Sequence, residues 1–218
     1  MFVVVFMAAF ILGSNAQGVV IRGGINFQNI NGKDGSGDKL ENKLILGFNA
    51  GVMAEVPIAP DFYFQPGLLF STKGAEREEV ILGQTITSKV SLGYLELPLQ
   101  LLYKPLLGNG HLLLGFGPYV GYALTGKATT TIGGTDSDVN IVFQKSVDES
   151  DPQDDEYFKR FDAGANLLAG YEFANGLSFQ LNTQLGLLDI HPEHSWFNDK
   201  TKWNNTGFGL SLGYRIGG

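Results

Sequence analysis

From Leu177 to Leu187 apolar and polar residues alternate almost without a break. Leu177, Phe179, Leu181, Leu185 and Leu187 share one parity; Ser178, Gln180, Asn182, Gln184 and Gly186 share the other. Side chains alternate across a strand, so the segment has one apolar face and one wet face. Its eleven residues are about the length a tilted strand needs to cross a bilayer. Seven further stretches read the same way: 19–28, 43–56, 62–73, 87–104, 111–125, 157–173 and 203–216; with 177–189, the seventh in chain order, they make eight. Together they predict an all-β fold, a closed antiparallel eight-stranded transmembrane β-barrel with its apolar face outward and its polar face inward.

The connections predict an orientation. Those at 57–61, 105–110 and 174–176 are short, and the last carries Asn175-Gly176, a strong hairpin signal. Those at 29–42, 74–86, 126–156 and 190–202 are longer and polar. Short turns at one rim and long loops at the other fit an outer-membrane barrel with both termini in the periplasm. Aromatics are expected in two belts: Phe62, Tyr103, Phe173 and Tyr214 near the short-turn rim, and Phe27, Phe70, Phe161 and Trp203 near the long-loop rim.

Residues 1–16 read as a signal peptide, and 17–218 as the barrel domain. Phe2 to Leu12 is an apolar core too short to span as a helix, and Ser14-Asn15-Ala16 is a small-x-small cleavage site, although no Lys or Arg precedes the core. Apolar content is ordinary at 44%, which speaks against a helical membrane protein. The chain has thirty glycines, which leave room inside a narrow barrel, and sixteen phenylalanines, which suit lipid contact. Cysteine is absent, excluding a disulfide framework, and the net charge of −7 argues against nucleic acid as a partner.

The segment YLELPLQLLYKP, Tyr94 to Pro105, resembles the Tyr-Leu-Glu-hydrophobic-Pro-Leu strand of the PorT-like outer-membrane β-barrel family of Bacteroidetes. GFGPYVGY (Gly115 to Tyr122), RFDAGANLLAGYEF (Arg160 to Phe173) and GLSLGYRI (Gly209 to Ile216) look like that family's later strands. The resemblance implies a barrel in the outer membrane and little about activity. The founding member is linked to protein secretion, and no residue here carries that role over. Barrel chains often end on an aromatic; here Tyr214 is the nearest, ahead of Ile216-Gly217-Gly218.

Parity places seven charged residues on the inward face: Arg22, Glu55, Glu96, Lys104, Asp162, Glu172 and Arg215. A charge there has to be paired or wet. Eight strands leave a lumen just wide enough for side chains to fill, so these residues read as a salt-bridge network rather than a selectivity ring. Glu96 and Asp162 are expected to pair with Arg22 or Arg215. His191 and His194 flank Pro192-Glu193 in the last long loop, but too few ligands accompany them for a zinc site. His111 lies at the periplasmic rim, the wrong end for an acyl hydrolase acting on outer-leaflet lipid. The acidic stretch 136–156 lacks the spacing and glycine of a calcium loop and reads as a solvated loop, within which 139–143 alternates weakly as a hairpin extension.

The expected function is surface interaction or membrane scaffolding through the long loops, with no enzymatic activity, no cofactor and no metal. Outer-membrane lipid is the expected surrounding, the chain is expected to be a monomer, and an extracellular or periplasmic protein partner is left open. Two alternatives remain: a small porin-like channel, which glycines on the inward faces of strands five and eight keep open, and a PorT-like partner in secretion. A lipocalin-type soluble barrel would place the apolar face inward and the charges outward.

Overall fold

A computed structural model describes residues 18–152, 155–195 and 200–217. The expected signal peptide therefore lies outside the described residues. Eight long strands form the wall: β1 Gly18–Lys33, β2 Ile45–Ala59, β3 Phe62–Ile81, β4 Gln84–Tyr103, β5 Gly110–Ile132, β6 Phe161–Glu172, β7 Leu177–Gly186 and β8 Lys202–Ile216. Each pairs antiparallel with its chain neighbours, and β1 pairs with β8, so the sheet closes on itself. Closure leaves no unpaired edge, the condition for a sheet to sit in hydrocarbon.

The outer surface is a band of exposed apolar side chains. Leu46 is 65% exposed, Leu181 59%, Phe116 58% and Phe179 57%. In a soluble protein such a continuous apolar surface would aggregate; around a closed barrel it is the lipid face. The arginine and carboxylates of the inward parity are buried, which overturns the lipocalin-type arrangement. Ala54, which shares the outward parity of Leu46 and Phe48, is nonetheless 4% exposed.

The lumen is less polar than alternation predicts. Val20, Met53 and Leu69 form one buried apolar cluster, and Leu102, Leu113 and Leu168 form another. These residues share the inward parity with polar neighbours, and they fill space that a purely polar lining would leave to water. The short turns behave as expected. Gly176 adopts φ +83°, a conformation that Asn-Gly hairpins require and that side chains resist.

The long connections differ from the loops expected. Residues 74–86 are a continuation of the β3–β4 hairpin, paired to Ile81↔Gln84 with only Leu82 and Gly83 at the tip. Cross-strand partners such as Val80 and Thr85 keep the alternation going beyond the span, and polarity alone had disguised it. β5 likewise runs to Ile132 and folds back as the strand Thr135–Phe143. The weak alternation at 139–143 is thus a hairpin extension, as expected. The strand Glu156–Phe158 pairs parallel to it, and Ser146–Val147 pairs parallel with Glu193–His194. β6 begins at Phe161 rather than 157, and β7 ends at Gly186 rather than 189, because both chains turn inward at the long-loop end.

Trp203 does not join the outer belt. Its parity is that of Asn205, and it packs inward against Phe158 at 5.0 Å and His191 at 4.3 Å. Other aromatic pairs do lie on the wall: Phe62 stacks on Tyr103 at 4.7 Å, Phe27 on Phe208 at 5.2 Å, and Tyr122 meets Phe161 edge-on at 5.2 Å.

Candidate functional site: the lumen and its cap

The register brings the inward charges into two groups. Near the short-turn rim, Lys104 lies 2.8 Å from both Glu55 and Glu172. Arg215 Nε donates to Glu172 Oε1 at 2.9 Å, and Gln65 donates to Glu55 at 3.2 Å. Glu55 of β2, Lys104 just past β4, Glu172 of β6 and Arg215 of β8 thus meet in one array of alternating charge. Further along the axis Lys73 Nζ lies 2.6 Å from Glu96 and 2.8 Å from Asp162. Tyr119 Oη and Asn205 Nδ2 both donate to Asp162 Oδ2, at 3.1 and 3.0 Å, and Gln184 donates to Glu96 at 3.1 Å. The Lys73 ammonium also sits 4.3 Å from the centre of the Tyr119 ring, an additional favourable placement for a desolvated cation.

Lys73 is the residue that sequence reasoning missed. It shares the inward parity of Gln65, Leu69 and Ser71, so the signal was present; its place at the expected end of strand three concealed it. The close ion-pair partner of Glu96 and Asp162 is thus Lys73 rather than Arg22 or Arg215, although the Glu96 charge also acts on Arg22. Register explains why. Glu96 lies opposite Gly121, and Gly121 lies opposite Asp162, so the two acids stand on either side of one glycine, where Lys73 Nζ reaches both. Arg215 is held by Glu172 at the other end. Arg22 is buried, with Asn182 Oδ1 at 3.4 Å from its Nη1.

Between the two groups lies a polar layer in which Asn26 donates to Ser71 and Asn49 donates to Asn26, both at 3.2 Å. The cavity left there is about 40 Å³, room for a few waters only. The glycines of the inward faces do not open a path. A side chain at Gly207 would meet Gln28 at 2.5 Å, and one at Gly121 would meet Tyr94 at 3.3 Å, so neighbours occupy the space the glycines vacate.

An apolar cap covers the Lys73 group at the long-loop end. Ile30, Leu92, Tyr94, Ala123, Phe158 and Ile190 are among its buried members, with Trp203 packed against them. Asp189 Oδ1 accepts the backbone N–H of His191 at 3.0 Å and of Trp203 at 2.9 Å, which turns the 187–195 segment inward. His191 and His194 lie with ring centres 5.5 Å apart in this segment. Among the described residues no group of three or more His, Asp or Glu is placed to hold a metal.

A closed antiparallel ring with a lipid-facing exterior and a charge-filled interior defines the class: a small β-barrel of the outer membrane. The chain belongs to the outer membrane protein beta-barrel domain family, whose profile matches residues 15–191. Among solved structures it is similar to Ail, the attachment invasion locus protein of Yersinia pestis, in complex with the heparin analogue sucrose octasulfate, at 16% identity, over 92% of this chain and 99% of that one, with a TM-score of 0.41. It is also similar to Neisserial surface protein A, at 12% identity over 92% and 97% of the two chains with a TM-score of 0.43. A third is OprG from Pseudomonas aeruginosa, at 14% identity over 94% and 99% with a TM-score of 0.41. A comparison with curated proteins finds no match.

Proposed function

We propose that the protein is a plugged outer-membrane barrel that acts through its long-loop end, by engaging a surface or protein partner rather than by conducting solutes or catalysing a reaction. The observation that carries this reading is the layered obstruction of the lumen: the Lys104 group, the polar layer, the Lys73 group and the apolar cap lie one above another. A passing solute would have to separate buried ion pairs, each break leaving an uncompensated charge. The acids of both groups are engaged by cations, which leaves none set against a nucleophile.

The long-loop end offers an interaction surface. The β3–β4 hairpin, the end of β5 and the strand Thr135–Phe143 form a sheet beyond the span, and Val80 is 72% and Leu82 100% exposed at its tip. We place the partner contact at these exposed apolar tip residues. The described ends of the wall, Gly18 and Ile216, lie at the opposite, short-turn rim, which the usual loop asymmetry assigns to the periplasm. The resemblance of 94–105 to PorT-like barrels supports the form in which the partner belongs to secretion; that segment supplies Tyr94, Glu96, Gln100 and Lys104 to the interior.

The test is single-channel conductance of the refolded protein in a planar bilayer. The expected result is silence from protein shown to be folded. Discrete, reproducible current steps would replace this reading with that of a small porin.

A further inference from the structure

The cap contains a second, larger cavity of about 220 Å³. Ile30, Leu40, Ala75, Val90, Phe158 and Trp203 form its apolar lining, and Asn42, Ser88 and Glu156 are among its polar lining. The contrast with the polar layer below is large, since the cavity there is about 40 Å³. A dry apolar cavity of about 150 Å³ is enough to take a benzene molecule. The space in the cap therefore suits a ring or branched chain with a short polar extension.

Two polar groups at this cavity lack partners, and their needs are opposite. Trp203 Nε1 is a buried donor with no acceptor among the described residues. Indole N–H groups normally find one when buried. Glu156 has no ion-pair partner among the described residues, and partial burial pushes its carboxyl above the usual range. The other charged groups at the cavity are Glu76 and Arg77, and Arg77 is held by Glu79 at 2.7 Å. The surplus charge is negative, which favours a cation and disfavours a carboxylate.

We infer that the cap cavity is a binding site for a small apolar amine that also carries a carbonyl: its ammonium faces Glu156, its carbonyl accepts from Trp203 Nε1, and its side chain fills the apolar space. An α-amino amide with an aromatic or branched side chain has these three features. The site is separate from the surface sheet and does not depend on whether the barrel conducts.

The probe is phenylalanine amide, titrated against the refolded full-length protein in detergent micelles. Trp196 and Trp203 are the two tryptophans of the chain, so Trp196→Phe leaves Trp203 as the reporter. The expected result is a saturable change in Trp203 fluorescence. Ala75→Phe, which fills the cavity, abolishes it. Glu156→Gln, a substitution at a solvent-accessible position, weakens binding at least tenfold. 3-Phenylpropanamide, which lacks the ammonium, binds the parent at least tenfold more weakly than the probe and is indifferent to Glu156→Gln. No saturable change in folded protein overturns the site, and so does binding that survives Ala75→Phe. Binding that Glu156→Gln leaves unchanged overturns the assignment of an amine.

Discussion

Lys73 illustrates how a single side chain can hold two acids in a barrel interior. Its ammonium is fully buried between Glu96 and Asp162. Removing the cation strands two carboxylates where water cannot reach them, so Lys73→Met is expected to cost about 3–5 kcal/mol, the usual penalty for breaking a buried pair. Urea unfolding of the refolded barrel measures this, and a loss under about 1 kcal/mol would show that the acids are not dependent on Lys73. Glu96→Gln is expected to be milder but still destabilising, because the amide keeps the volume while Lys73 retains Asp162. Equal heat stability of the folded band for mutant and parent would sink that expectation. The seven charges placed inward from parity are all buried or half-buried, and Lys73 is the inward charge that the sequence reading missed. Their partners were not legible, because pairing depends on register and strand tilt, which alternation within one strand does not contain.

At the scale of elements, the alternating strands behave as two surfaces back to back. Leu181 sits in the middle of β7 on the lipid face. Leu181→Lys is expected to cost about 2–4 kcal/mol in lipid, the penalty for a cation near the midplane. Folding equilibria in liposomes test it; an unchanged midpoint would mean that this face is not lipid-facing. The strand Glu156–Phe158 belongs to the cap and has a pH dependence of its own. Folding raises the Glu156 pKa above its ordinary 4.5, so the folded state binds the proton more tightly. Its docking is therefore strongest below about 4.5 and weakens as pH rises through the raised value. Amide exchange at 156–158 should be slowest in acid relative to its intrinsic rate, and Glu156→Gln should remove the trend. A trend that persists in Glu156→Gln would assign it to another group. The length of β3, β4 and β5 was underestimated from sequence, since Thr, Ser and Lys beyond the span look like loop but pair as strand.

At the scale of the whole molecule, the interior ion pairs lie where solvent barely reaches. The Lys73 and Lys104 groups are buried, whereas pairs such as Lys43–Glu78 and Lys127–Asp138 lie on exposed strands. Salt shortens the Debye length to about 3 Å at 1 M and screens exposed pairs far more than buried ones. The thermal midpoint of the barrel is thus expected to change little between low salt and 1 M salt. A fall comparable with that of Lys73→Met would indicate that the interior charges are hydrated.

The alternation of apolar and polar residues by itself determined the strand count, the closed antiparallel barrel and which residues share a face; together with the loop asymmetry it predicted that the apolar face meets lipid, and it placed seven charges inward while missing Lys73. These follow from the period of two in a strand and from the cost of exposing backbone or charge to hydrocarbon. The tertiary structure decided what the inward residues do together. The entry of Lys73 between Glu96 and Asp162, the inward turn of Trp203 and the cavity beneath Leu40 arise where several strands and loops converge. Such convergence depends on distances between segments far apart in the chain, and local periodicity carries no information about those distances.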